Sequence, residues 1–132
     1  MSAPYTAVVV VTHGRAGADM LDAAQAFLHV PLPMVTAVGV SPEDDQSVVN
    51  AKIDQAVSDL GVHGWEQVLF LVDLVGSTPA RLCCGKCGDK GHVVTGLNMP
   101  MLLKLATADR SCGPAALGTT LVLTGTKSIH VE

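Results

Sequence analysis

Val68-Leu69-Phe70-Leu71-Val72-Asp73-Leu74-Val75-Gly76-Ser77-Thr78-Pro79 is the stretch on which the reading of this chain turns. A short run of consecutive apolar residues, followed at once by a carboxylate, reads as a strand buried on both faces whose polar end emerges at a sheet edge. A loop through Leu74, Val75, Gly76 and Ser77 comes next. Thr78-Pro79 then pairs a capping hydroxyl with a proline, the start of a helix expected to run through Arg81 and Leu82 until Gly85 or Gly88 breaks it.

The same strand-then-helix grammar repeats on both sides. Residues 7–11 form a Val-rich strand that ends at Thr12-His13-Gly14, and from Gly17 onward Met20, Leu21, Ala24, Phe27 and Leu28 fall on one helix face that Pro31 terminates. A strand follows over residues 35–40. Ser41-Pro42-Glu43 supplies a cap, a proline and an acid for a second helix with Val49, Ile53, Ala56 and Leu60 inward, closed by Gly61. Residues 92–95 read as a fourth strand, and Asn98-Met99-Pro100 as the start of a helix burying Met101, Leu102, Leu105 and Ala106 before Ser111-Cys112-Gly113-Pro114 stops it. The Thr- and Val-rich residues 120–131 read as a last strand or a broken hairpin.

Alternating strands and helices imply an α/β fold: a three-layer α/β/α sandwich around a mostly parallel four-stranded sheet. With 132 residues, 48% of them hydrophobic, and no repeat or linker, one domain fills residues 1–132. Twelve acidic against eight basic residues give a net charge of −4, which argues against nucleic acid as a partner. The longest apolar runs fall far short of the roughly 20 residues of a membrane span, so direct membrane insertion is not expected. Met1-Ser2-Ala3-Pro4-Tyr5 has no basic signal-peptide region, and three of the four cysteines crowd into residues 83–87; both features fit a cytoplasmic protein with reduced thiols.

Open parallel sheets bind ligands beyond the carboxyl ends of their strands, where strand order reverses. Three loops bring polar residues to such ends: His13-Gly14, the segment from Asp73 to Thr78, and Gly96-Leu97-Asn98. If the strand order is 2-1-3-4, the first and third strands are neighbours and His13 meets Asp73. A carboxylate holding one ring nitrogen as a donor fixes the imidazole tautomer and leaves the other nitrogen as a nucleophile. The backbone amides at the Thr78-Pro79 helix start, with Gly76 allowing close approach, suit a phosphate. No phosphate-binding Gly-Lys loop or Gly-x-Gly-x-x-Gly run occurs, so the phosphoryl donor is not expected to be ATP.

Val10-Val11-Thr12-His13-Gly14, then Leu71 through Pro79, then Thr95-Gly96-Leu97-Asn98-Met99-Pro100-Met101-Leu102 resemble, in order and spacing, three segments of the mannose-family IIA component of the bacterial sugar phosphotransferase system. The resemblance covers residues 5–110, and the tail from Gly125 to Ile129 is similar to short, unfused members. It implies that His13 is the phosphorylated histidine, accepting from phospho-HPr and donating to a IIB component, and that Asp73 orients the ring. It places Gly14, Gly76, Ser77, Thr78 and Asn98 around the phosphoryl group, with no cofactor or metal. It also implies a homodimer that exchanges a C-terminal strand, for which residues 120–131 are the candidate. Ser77 departs from the usual second glycine, Thr78 stands for the usual serine, and Val75 occupies a position that is aromatic in some members.

Two alternatives carry different expectations. One is a regulatory IIA-like protein of a permease-less phosphorelay, signalling to a target by its phosphorylation state. The other is a metal or thiol sensor built on Cys83, Cys84 and Cys87, with Cys112 and His92 as further ligands. The phosphotransferase subunit of dihydroxyacetone kinase shares the fold and active histidine, but the segment from Asn98 to Leu102 favours the mannose type. His29, His63, His92 and His130 are expected to be solvated or structural.

Overall fold

β1 (Ala7–His13), β2 (Val35–Val40), β3 (Val68–Val72) and β4 (Val93–Thr95) pair in parallel in the order β2-β1-β3-β4. The computed structural model describes residues 5–62, 64–87 and 91–132, so the readings of the extreme N-terminus, His63 and Gly88 lie outside the described residues. In register, Val10 stands between Ala37 and Leu71, and Val72 faces Thr95. Because strand side chains alternate, unbroken apolar runs supply two cores at once. Val9, Val11, Phe70 and Val72 pack under α2 (Gln46–Asp59) and α3 (Thr78–Cys87). Val8, Val10, Leu69 and Leu71 pack under α1 (Ala16–Leu28), α4 (Met99–Lys104) and α5 (Pro114–Lys127). The expected α/β/α sandwich and strand order are those observed.

The C-terminal expectation is overturned. Residues 120–127 are not a strand but the later turns of α5, so most of the segment offered as a last strand, residues 120–131, is helical, and residues 128–131 follow it without strand structure. Pro114 sits in its first turn, Leu117, Leu121 and Gly125 recur on one buried face, and Gly125 leaves room for the Met101 side chain. The β-favouring threonines are accommodated by bonding back along the helix: Thr124 Oγ1 donates to the Thr120 carbonyl at 3.1 Å and Thr126 Oγ1 to the Val122 carbonyl at 2.8 Å. Burial of the Leu117/Leu121 face against the sheet outweighs local β preference.

Other departures are local. Phe27 is 73% exposed rather than buried, because the inward stripe of α1 is Gly17, Leu21 and Ala24, and Phe27 lies roughly a quarter turn away from it. Ser41-Pro42-Glu43 does not start α2. Asp45 caps it instead, accepting from the Val48 amide at 3.0 Å, while the Asp44 carboxylate turns back to the Ser41 amide at 2.9 Å. In α3 the capping hydroxyl is Ser77, which accepts from the Ala80 amide at 3.3 Å, and the helix continues through Gly85.

At the amino end of the sheet, buried Arg110 donates to the Thr6 carbonyl through Nε and Nη2 at 3.1 and 2.8 Å and to the Met34 carbonyl at 3.3 Å. Its guanidinium also lies 4.6 Å from the centre of the Tyr5 ring. It thereby clamps the segments that lead into β1 and β2.

Leu121 and Leu123 separate helix from strand, since they would share a face in a strand and lie on opposite sides of a helix. Leu121 is fully buried and Leu123 is 53% exposed. In urea denaturation, Leu121→Ala is expected to cost about 2–5 kcal/mol, and Leu123→Ala to stay within about 0.5 kcal/mol of the parent. Equal losses would contradict the helix.

Candidate functional site

β1 carries His13 to the carboxyl edge of the sheet, and the adjacent β3 delivers Asp73 beside it. The Asp73 Oδ2 atom accepts twice from the same residue: from the His13 backbone amide at 3.0 Å and from its Nδ1 at 2.9 Å. Oδ1 accepts from the Leu74 amide at 2.9 Å. An ionised carboxylate only accepts, so the ring nitrogen facing it is the donor, and in the neutral imidazole Nε2 keeps its lone pair. The His13 side chain is 52% exposed and that of Asp73 23%. The imidazole therefore meets solvent while the carboxylate bonded to it is more sheltered.

Partial burial is the largest single influence on the Asp73 carboxyl and would push its pKa up. The His13 amide, the His13 ring, the charge of that ring and the Leu74 amide together outweigh it and hold the group below its ordinary 3.8.

The His13 loop is fixed from three directions. The Gly14 amide donates to the Val40 carbonyl at 2.8 Å, and the buried Thr12 hydroxyl accepts from the Gly17 amide at 2.7 Å. Gly39 packs its bare Cα against the Gly14 carbonyl oxygen, leaving no space for a side chain. Gly14 itself has positive φ (57°) and open space where a Cβ would stand.

A crevice of about 570 Å³ opens here, lined among others by His13, Gly14, Pro42, Asp44, Thr78 and Pro79. Its Ser41-to-Asp44 wall was not among the loops expected at the site, although every loop leaving a parallel strand falls on this one edge. Asp44 is held below its ordinary carboxyl range by the hydrogen bond from Lys52, then by the Ser41 amide.

The structure thus joins His13, Gly14, Asp73 and Thr78. Gly76 and Ser77 form the turn between Asp73 and α3, where the Ser77 hydroxyl donates to the Leu74 carbonyl at 2.8 Å. The loop carrying Asn98 is tied to the end of β3, the Leu97 amide donating to the Val72 carbonyl at 3.1 Å. The Asn98 side chain is engaged within the chain: Oδ1 accepts from the Met101 amide and Nδ2 donates to the Gly125 carbonyl, both at 3.3 Å.

The cysteines stand apart from this edge. Cys83 and Cys87 face the core and Cys84 is exposed, with burial pushing the Cys83 thiol up to about 12. His92, proposed above as a metal ligand, is buried with Nδ1 against the Val68 carbonyl at 2.9 Å. Among the described residues no three His, Cys, Asp or Glu side chains gather as a metal site. His130 gains a carboxylate neighbour not foreseen, Glu132, at 3.6 Å on the exposed tail. Among the described residues, no helix is long and apolar enough to cross a membrane.

A family model described as the PTS system fructose IIA component matches residues 7–117. No curated protein matches the sequence. Among solved structures, the chain is similar to the mannose/sorbose-specific IIA subunit of the phosphotransferase system from Enterococcus faecalis, with a TM-score of 0.82 and 23% identity, covering 97% of this chain and 95% of that one. It is similar also to the PTS IIA protein associated with the fucose utilization operon from Streptococcus pneumoniae, with a TM-score of 0.77, 22% identity, and coverage of 99% and 96%. Phosphotransferase system component EIIA from Streptococcus agalactiae follows, with a TM-score of 0.79, 18% identity, and 96% coverage of each chain. These likenesses establish the fold.

Two outcomes follow from the geometry. A carboxyl held below 3.8 stabilises the folded state fully above that pH and ceases to as pH falls through its lowered folded value. Asp73→Asn should therefore flatten the acid limb of the stability curve below that pH, and ¹⁵N NMR should find the neutral His13 ring no longer confined to the Nδ1–H tautomer. Gly39→Ala should destabilise by about 1–3 kcal/mol through overpacking and shift the His13 and Gly14 amide resonances; unchanged resonances would show that the close approach is not needed.

Proposed function

The chain belongs to the PTS fructose IIA family of the mannose type, a phosphotransferase family, and from that premise we propose that it carries a phosphoryl group on His13, taken from phospho-HPr and passed to a IIB component. The observation that carries this reading is the 2.9 Å hydrogen bond between His13 Nδ1 and Asp73. With the proton held at Nδ1, the Nε2 lone pair attacks the phosphorus of the donor phosphohistidine directly. The P–N bond of the donor breaks, its electron pair returns to the donor ring, and no proton has to leave Nε2. Positive charge arising on the His13 imidazole is balanced by Asp73. Passing the group to IIB reverses these roles.

The surroundings divide the remaining work. Gly14 leaves the approach to the ring open, Thr78 offers a hydroxyl, and Gly76 and Ser77 border the amide end of α3, where negative oxygens are favoured. The Asn98 side chain supports the neighbouring wall through α4 and α5. Leu74 and Val75, 59% and 82% exposed beside Asp73, supply apolar surface for a docking protein. HPr and IIB each meet this edge in turn, in the cytoplasm.

Intact-protein mass spectrometry after incubation with phosphoenolpyruvate, enzyme I and HPr tests the reading. One acid-labile phosphoryl group is expected on the parent, none on His13→Ala, and slow formation on Asp73→Asn. An unlabelled parent, or a labelled His13→Ala, would overturn it.

A further inference from the structure

The charges around the crevice do not balance once a phosphoryl group is added. Asp73 touches the ring and Asp44 lines the crevice, so a phosphohistidine would place roughly two further negative charges beside two carboxylates. Most nearby cations are already engaged. Lys52 Nζ lies 2.6 Å from Asp44 Oδ2 and donates to the Gly39 carbonyl at 3.0 Å. Arg15 pairs with Asp19 at 3.4 Å on the exposed face of α1.

Arg81 differs. Its guanidinium meets only neutral oxygens, donating through Nη1 to the Gly76 carbonyl at 3.4 Å and through Nη2 to the Thr78 hydroxyl at 3.2 Å. No carboxylate among the described residues is paired with it. The spacing of three residues in the first turn of α3 puts Thr78 and Arg81 on neighbouring positions of one helix face. Thr78 lines the crevice together with His13. A hydroxyl that accepts from a guanidinium keeps its own proton to donate, and the cation makes that proton a stronger donor. Since Ser77 performs the capping, the Thr78 hydroxyl is not consumed by the helix.

We propose that Arg81 is a positioning residue for the phosphorylated state, holding and polarising the Thr78 hydroxyl so that it donates to a phosphoryl oxygen on His13. The inference rests on the carrier reading above and deepens it. It assigns Arg81 to the energetics of the phosphohistidine, whereas Asp73 sets the ring tautomer. Arg81 then favours the phosphorylated chain over phosphorylated HPr and has little effect on the unmodified chain.

The test is the equilibrium partition of label after mixing the phosphorylated chain with HPr, for the parent, Arg81→Ala, Arg81→Lys, Thr78→Val and the double variant Arg81→Ala/Thr78→Val. Arg81→Ala is expected to shift the partition about 5–10-fold toward HPr, the scale of a charge-assisted hydrogen bond at a partly exposed site. Arg81→Lys should recover part of the loss, and the double variant should lose no more than either single change, because both remove one linked interaction. Raising the salt concentration should narrow the gap between parent and Arg81→Ala. Amide NMR spectra matching the parent's away from α3 exclude misfolding as the cause. A parent that takes label, with Arg81→Ala within two-fold of it or with additive single losses, would overturn the proposal and leave the carrier reading intact. A parent that takes no label removes both.

Discussion

Asp73 Oδ2 accepts from both the backbone and the ring of His13, and this bifurcated contact ties the carboxyl ends of two neighbouring strands into one chemical unit. It requires β1 and β3 to be adjacent, as they are in the order β2-β1-β3-β4, so the site depends directly on how the strands are ordered. A one-residue slip in pairing would turn each strand's inward set to the other face and would separate His13 from Asp73. The polar group at the end of each run, rather than the apolar residues within it, sets this register, since Asp73 must stand beside His13.

Around that contact, polar groups are distributed with little redundancy. Ser77 caps α3, Asn98 caps α4 and reaches α5, and Asp44 holds Lys52 and the loop after β2. The polar side chains left to face the crevice are therefore few: the His13 imidazole, the Thr78 hydroxyl and the Ser41-to-Asp44 turn, whose carboxylate is already held by Lys52, beside the bare backbone of Gly14. Under the proposed carrier role, such a surface suits a phosphoryl group that must leave as readily as it arrives. A cage of several committed donors would hold the phosphoryl group too tightly to pass it on. The opposite end of the sheet is closed by Arg110, whose contacts run to main-chain carbonyls and an aromatic face, so rigidity and reactivity occupy different edges.

The four strands of the sheet were legible in the sequence because apolar runs, each ending in a polar group, have few alternatives inside a compact domain, and the His13–Asp73 pair followed from them once β1 and β3 were taken as neighbours. The loop following β2 was less visible. Ser41-Pro42-Glu43 imitates a helix start, and only the competing turn closed by Asp44 moves the cap to Asp45. Gly39 was equally silent, since a glycine within a strand announces itself only when another backbone approaches it. Phe27 misled because helical periodicity locates a stripe to within one neighbouring position, and the width of the sheet beneath α1 sets which of those positions is covered.

The four parallel strands, the polar residues at their carboxyl ends and the residue types capable of phosphoryl chemistry were thus written in local pattern, where burial on both faces leaves no room for other residue classes. Three matters were settled by packing alone. Residues 114–127 are helical because Leu117, Leu121 and Gly125 meet the sheet and α4 at helical spacing, against the β preference of their threonines. The Asn98 side chain is drawn into α4 and α5 because unsatisfied amide and carbonyl groups there stand nearest to it. Thr78 is left open to Arg81 because Ser77, one residue earlier, reaches the orphan amide first. In each case several side chains had the right chemistry, and three-dimensional proximity chose among them.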